Sequence, residues 1–319
     1  MRLHPDHYTI ERTPEPVTRY ASVPDTLPVG SPGKVGLLEL AFSRRATRTE
    51  LTGHYQKTPL QIMQPLYYDP ERPDMPFLLI MQSGGGVLQG DRYRIDVECG
   101  PDTAVHLTTQ AAGKIYRMEA DYASQLVNLT AGPGAYLEYL PDPTIPFKDS
   151  RFYQRTVLTA DPSATVVLGE TVILGRLARG ERNDYAAFCT DLEVRAPDGR
   201  TLFADPLRLL PDGDAVSGRD GVGGRDGVTG PAVLGGHGVM ASLFVVTRKA
   251  PADVVAAALH TALADTGLPA GASVLPEDSG AWARVLGAES PEVAAAMRAA
   301  WDAVRRLLIG VPAPDRRRS

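Results

Sequence analysis

At 319 residues, with 43% hydrophobic and 22% charged side chains, the chain is long enough for one large domain or two modest ones and can build a packed core. Its formal net charge of −5 offers no basic footprint for nucleic acid, and the only basic run is Arg316-Arg317-Arg318 at the tail. No stretch approaches the roughly 20 apolar residues of a membrane span, and residues 1–25 lack the apolar core of a signal peptide. The expectation is therefore a cytoplasmic protein whose partners include neither nucleic acid nor membrane.

Residues 1–33 carry six prolines, from Pro5 to Pro32, without periodicity, and are expected to form a leader that lies along the body or hangs free. From Val35 to about Arg208 strand signals dominate, and residues 34–310 are read as a single β-rich domain. Within it, Ser83-Gly84-Gly85-Gly86-Val87-Leu88-Gln89-Gly90-Asp91 has the look of a phosphate cradle. Such loops lead into a helix. Here the following Tyr93, Ile95, Val97 and Cys99 alternate with Arg94, Asp96 and Glu98, the period of a half-buried strand, so the loop joins strands. Further turns are set by Gly100-Pro101-Asp102, Gly132-Pro133-Gly134, Asp161-Pro162-Ser163 and Pro197-Asp198-Gly199, the last closing a hairpin. Residues 211–230 are a glycine-rich insert, expected to be a mobile loop.

Met240 to Thr247 then reads as a strand, and the alternation from Trp282 to Leu286 predicts one more. Two helices close the domain. The first starts at Pro251 and stops at Gly267, with Val255, Leu259 and Leu263 on one stripe. The second starts with Ser290 as N-cap, carries Val293, Met297, Trp301, Val304 and Leu308 on one face, and ends at Gly310. Trp301 is expected to pack on the β-body. Residues 311–319 are a basic tail, expected to be disordered. The fold class that follows is mainly β, with two C-terminal helices.

Chemistry-bearing patterns are few. There is no Gly-x-Ser-x-Gly elbow, no Cys-x-x-Cys and no zincin spacing among the six histidines. His4-Pro5-Asp6-His7 could touch a metal, but it lies in the leader. Cys99 and Cys189 fall on predicted strands and read as small buried hydrophobes. The carboxylates are more informative. Glu170 shares an apolar strand face with Leu168, Val172 and Leu174, and Glu138 poses the same question in Tyr136-Leu137-Glu138-Tyr139-Leu140. A buried carboxylate is costly unless paired or wetted. Two readings stay open: an internal ion pair, for Glu170 with Arg176 or Lys114, or a polar cavity. Asp91, Asp142 and Glu181 sit at strand ends or turns, where carboxylates often only cap or meet solvent.

Four blocks in register carry a resemblance. Gly84-Gly85-Gly86-Val87-Leu88-Gln89-Gly90-Asp91 resembles the G-G-G-h-x-x-G-D signature of the urease accessory protein family UreD, also called UreH. The others are Leu107 through Arg117 (LTTQAAGKIYR), Gly134 through Phe147 (GAYLEYLPDPTIPF), and Gly169-Glu170 through Glu181. The resemblance implies a mostly β, helix-like stack of strands and a non-enzymatic role. Such proteins bind apo-urease and the partner UreF, which recruits the GTPase UreG, and the assembly delivers nickel to the urease active site. The resemblance also implies a transient nickel ion and no tightly bound cofactor or fixed metal site. Asp91, Glu138, Asp142, Glu170 and Glu181 are then candidates for an internal nickel path. Gly84, Gly85, Gly86, Gly90, Thr109, Gln110, Lys114 and Arg176 become structural or partner contacts. The alternative from another class is a carbohydrate-acting β-helix-type enzyme with paired carboxylates, which would want an aromatic-rimmed cleft. Aromatic residues are only 7% of this chain.

Overall fold

The computed structural model describes residues 2, 4–21, 35–211, 228–230 and 233–315. Two sheets face each other. The first has seven strands in the order β14 (Thr201–Leu209), β13 (Ala187–Arg195), β11 (Arg151–Ala160), β8 (Ala123–Ala131), β5 (Arg92–Cys99), β1 (Val35–Arg45) and β2 (Arg48–Lys57). The second has ten. Its main path is β16 (Ala270–Val274), β17 (Gly280–Gly287), β15 (Val239–Val246), β12 (Thr165–Ile173), β9 (Tyr136–Tyr139), β6 (Ala104–Thr109), β4 (Phe77–Gln82) and β3 (Leu60–Ile62). The short β7 (Gly113–Ile115) and β10 (Thr144–Pro146) lie off that path.

From β4 to β13 the main strands alternate between the sheets, and within each sheet these strands pair in parallel. The result is a β-solenoid-like coil, as the family resemblance implied. Alternation dictates which side chains enter it. In β5, Tyr93, Ile95, Val97 and Cys99 are buried between the sheets while Glu98 is exposed. The antiparallel β14, β15, β16 and β17 close the coil. All eight residues of β15 are buried, because this strand is covered on both faces.

The glycine-rich loop carries the chain from β4 in one sheet to β5 in the other. Gly86 is required by close approach: a Cβ there would lie 2.3 Å from the Tyr116 ring and 2.6 Å from the Lys114 carbonyl oxygen. That proximity lets Val87 N–H donate to Lys114 O at 2.7 Å and Tyr116 N–H donate to Val87 O at 2.9 Å.

Helices α2 (Ala252–Ala264) and α3 (Ser290–Ile309) cover the outer face of the second sheet. Val255, Leu259, Leu263, Val293, Trp301, Val304 and Leu308 pack there on Val167, Ala241, Leu243, Val245 and Val285. The cap of α3 lies one residue before the expected Ser290. Glu289 is the N-cap, and Glu292 Oε1 accepts from Ala288 N at 2.7 Å and Glu289 N at 2.9 Å, so a glutamate pair closes the capping box. Gly310 ends the helix at φ 73°.

The outer face of the first sheet is partly covered by the N-terminal segment. A short helix, α1 (Glu15–Thr18), brings Val17 against Tyr153, Ala187 and Cys189, and Tyr8 packs on Val35 and Leu37. Both cysteines are free and buried. Of the glycine-rich insert, 212–227 lie outside the described residues, as does the tail from 316. Val228, at the far end of the insert, is buried in the inter-sheet core.

Trp301 is 1% exposed and belongs to the helix–sheet core. Trp301→Ala is expected to cost about 3–5 kcal/mol, the range for truncating a buried aromatic. The thermal midpoint should fall and α3 amides should exchange faster; an unchanged midpoint would mean the ring does not hold α3 to the body.

Candidate functional site

Parallel stacking places equivalent positions of successive coils side by side. In the first sheet Tyr93 pairs with Gln125, Gln125 with Gln154, and Gln154 with Thr190. All four belong to the inward-facing rows of their strands. Across the gap, Glu170 pairs with Ser242, and Ser242 with Arg284. A polar layer therefore crosses a largely apolar interior.

Its members bond within the layer. Gln125 Nε2 donates to Gln154 Oε1 at 3.3 Å. Arg284 donates from Nε to Ser242 Oγ at 3.0 Å and from Nη2 to Asp205 Oδ2 at 2.9 Å. At the opposite end Gln82 Nε2 donates to Tyr93 Oη at 3.0 Å, and Tyr93 Oη donates to Asp91 Oδ2 at 2.7 Å.

A cavity of about 220 Å³ opens onto this layer, large enough for several waters. Exposed Gly85, Gln110, Ala111 and Lys114 rim it, and Gln125, Gln154 and Glu170 lie deeper in its wall. A smaller hollow of about 30 Å³ continues past Gln154 and Glu170 to Thr156 and Asp191. Glu170 is half-buried, and what it exposes lines these spaces. Burial raises its carboxyl to about 7, a Thr190 hydrogen bond opposes the rise, and Asp205 adds to it while Arg284 opposes it from a distance. No ion pair to Glu170 is found among the described residues. Arg176 is bound to Glu181 instead, and Lys114 is exposed at the rim. For Glu170 the cavity stands in place of the ion pair.

Glu138 has the opposite surroundings. It pairs across from Val167, which packs on the helices, whereas Leu168, beside Glu170, faces the other sheet. The two carboxylates thus lie on opposite faces of one sheet, and the fold does not bring them together. Glu138 is fully buried under α3. His106 Nδ1 donates to its Oε2 at 2.6 Å; Tyr136 Oη, at 2.6 Å, and Trp301 Nε1, at 2.9 Å, donate to its Oε1. Arg305 Nη1 lies 3.5 Å from Oε2, and Arg305 Nη2 donates to Asp69 Oδ2 at 2.6 Å. Burial pushes the Glu138 carboxyl up, but the His106 bond and charge, then Arg305 and Tyr136, hold it below its ordinary value. This is a paired, internally satisfied carboxylate.

The remaining candidates divide by position. Asp91 closes the glycine loop, accepting from Leu88 N at 2.7 Å as well as from Tyr93. Glu181 accepts from Lys148 N at 2.8 Å and from Arg176 Nε at 2.8 Å, and Arg176 also lies over the Phe147 ring. Those bonds outweigh burial and keep the Glu181 carboxyl below its usual range. Asp142 lines the cavity wall, with its N–H donating to Thr109 Oγ1 at 2.8 Å. Gly84 and Gly90 shape the loop between the sheets, Gly90 at φ 75°. Sequence reasoning passed over Gln125, Gln154, Thr190, Asp205 and Arg284, and equally Asp69, His106 and Arg305. Single polar residues inside apolar runs, such as Ser242 in β15, were the available signal.

A sequence model described as UreD urease accessory protein matches residues 34–319. A protein named urease accessory protein UreD 2 from Streptomyces griseus subsp. griseus is 60% identical over 300 residues, 93% of this chain and 98% of its own length. One of the same name from Brucella suis is 37% identical over 302 residues, covering 94% and 96%. Urease accessory protein UreD from Haloarcula marismortui is 37% identical over 291 residues, covering 91% and 92%.

The two glutamates call for opposite stability effects. Glu170 has a folded-state pKa raised above its unfolded value, so its contribution is full below about 4.5 and is lost as pH rises through about 7. Glu170→Gln should remove that decline and stabilise the protein at pH 8 by on the order of 2–3 kcal/mol. Glu138 has a lowered pKa, so its contribution is present at neutral pH and is lost in acid. Glu138→Gln should cost about 3–5 kcal/mol at neutral pH by leaving Arg305 underpaired. Denaturant unfolding across pH checks both; equal destabilisation by the two variants would contradict the contrast.

Proposed function

Because the chain belongs to the UreD urease accessory family, we propose that it is a cytoplasmic scaffold of urease maturation that binds apo-urease and, through UreF, the GTPase UreG. In this reading it assists delivery of nickel to the urease active site. The observation that carries the proposal is the cavity, rimmed by Gly85, Gln110 and Lys114 and reaching Glu170 between the sheets. Its rim and its deep carboxylate both come from the family-like blocks of the sequence.

The chemistry suits a divalent cargo that must leave again. Two carboxylates, Glu170 and Asp142, with carboxamide and hydroxyl neighbours offer oxygen ligands without the closed set of nitrogen or sulfur donors that holds such an ion firmly. A carboxyl that releases its proton at about 7 can accept a cation near neutral pH for little cost. In this scheme Glu170 and Asp142 line the route, while Glu138 anchors α3. The alternative carbohydrate-acting reading loses support from the same geometry, since Glu138 and Glu170 share no cleft.

Two measurements test the proposal. Co-expression with and without UreF, followed by size-exclusion chromatography, should show a stable complex only with the partner present. Within such complexes Glu170→Gln should leave assembly intact and yield nickel-poor urease. Fully loaded urease would remove Glu170 from the route, and failure to co-elute with UreF or urease would contradict the scaffold.

A further inference from the structure

On the far side of the first sheet, away from the cavity, three potential metal ligands meet. Glu39 on β1 and Asp96 on β5 are register partners in the parallel ladder, so their carboxylates project side by side from the outer face. The N-terminal segment lays His7 over them. Arg94 fixes it there by donating to the His7 carbonyl, and Tyr8, the next residue, is buried against Val35 and Leu37. One ligand atom from each of His7, Glu39 and Asp96 falls within 4.8 Å of the other two.

His7 Nε2 is the informative atom. It is shielded from solvent and has no hydrogen-bond partner among the described residues. Glu39 Oε1, at 3.6 Å, is too far for a hydrogen bond. That separation does fall within the roughly 3–4 Å between two ligands that share an ion at about 2.1 Å from each. The carboxylates are oriented as outer-shell groups orient ligands: Asn128 Nδ2 donates to Asp96 Oδ1 at 2.6 Å, and Arg94 Nε donates to Asp96 Oδ2 at 2.7 Å. Glu39 is held by the side chain of Arg2, which is 55% exposed and also lies over the Tyr55 ring, 4.2 Å from its centroid.

We infer that His7, Glu39 and Asp96 form a surface site for a first-row divalent transition-metal ion, with Arg2 as a removable plug on Glu39. One imidazole and two carboxylates make a nitrogen–oxygen set suited to nickel or zinc rather than to calcium or magnesium. The site stands on its own geometry and does not depend on the internal cavity carrying nickel. Ni(II) alone, and Zn(II) alone, are titrated calorimetrically into the full chain at neutral pH. His7→Ala and Glu39→Gln should each weaken one binding event by at least about tenfold. Arg2→Ala, which removes the cation bound to Glu39 and leaves every ligand in place, should tighten it. X-ray absorption of the nickel-loaded protein should show one imidazole nitrogen, absent in His7→Ala. Unchanged titrations for His7→Ala, or weaker binding in Arg2→Ala, would overturn the site.

Discussion

A coil of parallel strands imposes one constraint on everything else here. Whatever side chain points inward at one level recurs, in space, beside its counterparts from the coils above and below. Apolar positions stack into a core by this rule, as Leu40, Val97, Leu129, Leu158 and Val194 do. Polar positions stack as well, and a lone polar residue between two sheets would be costly. The layer Tyr93–Gln125–Gln154–Thr190, opposed by Glu170–Ser242–Arg284, meets the constraint by supplying partners at nearly every position. Glu170 is the carboxylate of this layer, it has no cation bonded to it among the described residues, and it lines the cavity.

Glu138 and Glu170 show how one sheet serves two ends. On its helix side, Glu138 is held by a ring nitrogen, a phenol, an indole and a guanidinium, so its charge is fixed and α3 is pinned. Such networks are strongly destabilised by losing one member. On its inner side, Glu170 has water-accessible space and few bonds, so its charge can change near neutrality. The first arrangement favours a rigid scaffold; the second favours transient contact with a cation. The proposed scaffold role draws on both properties.

Much of this was legible in the sequence. The period-2 pattern of Tyr93 to Cys99 identified a strand after the glycine loop and so excluded a phosphate cradle. The 3.6-residue stripes gave both helices, and the blocks from Gly84 to Glu181 gave the family. What the sequence did not show depends on contacts between distant residues. Arg305 looks like an ordinary helix-surface arginine until the fold brings it to Asp69 and Glu138. Glu289 was passed over as a cap because serine is the commoner choice there. Period alone could not decide which face of the second sheet each glutamate takes, because apolar neighbours flank both. The inward glutamines, Gln125 and Gln154, gained meaning only once stacking made them neighbours.

The central claim is that Glu170 is a cavity-lining carboxyl whose charge changes near neutral pH, while Glu138, on the same sheet, stays ionised. Carbon-13 NMR of glutamate carboxyls, assigned through the single glutamine variants, reads both directly. The account predicts a Glu170 midpoint of about 7 and a Glu138 midpoint below the ordinary glutamate value. An ordinary midpoint near 4.5 for Glu170 would contradict it.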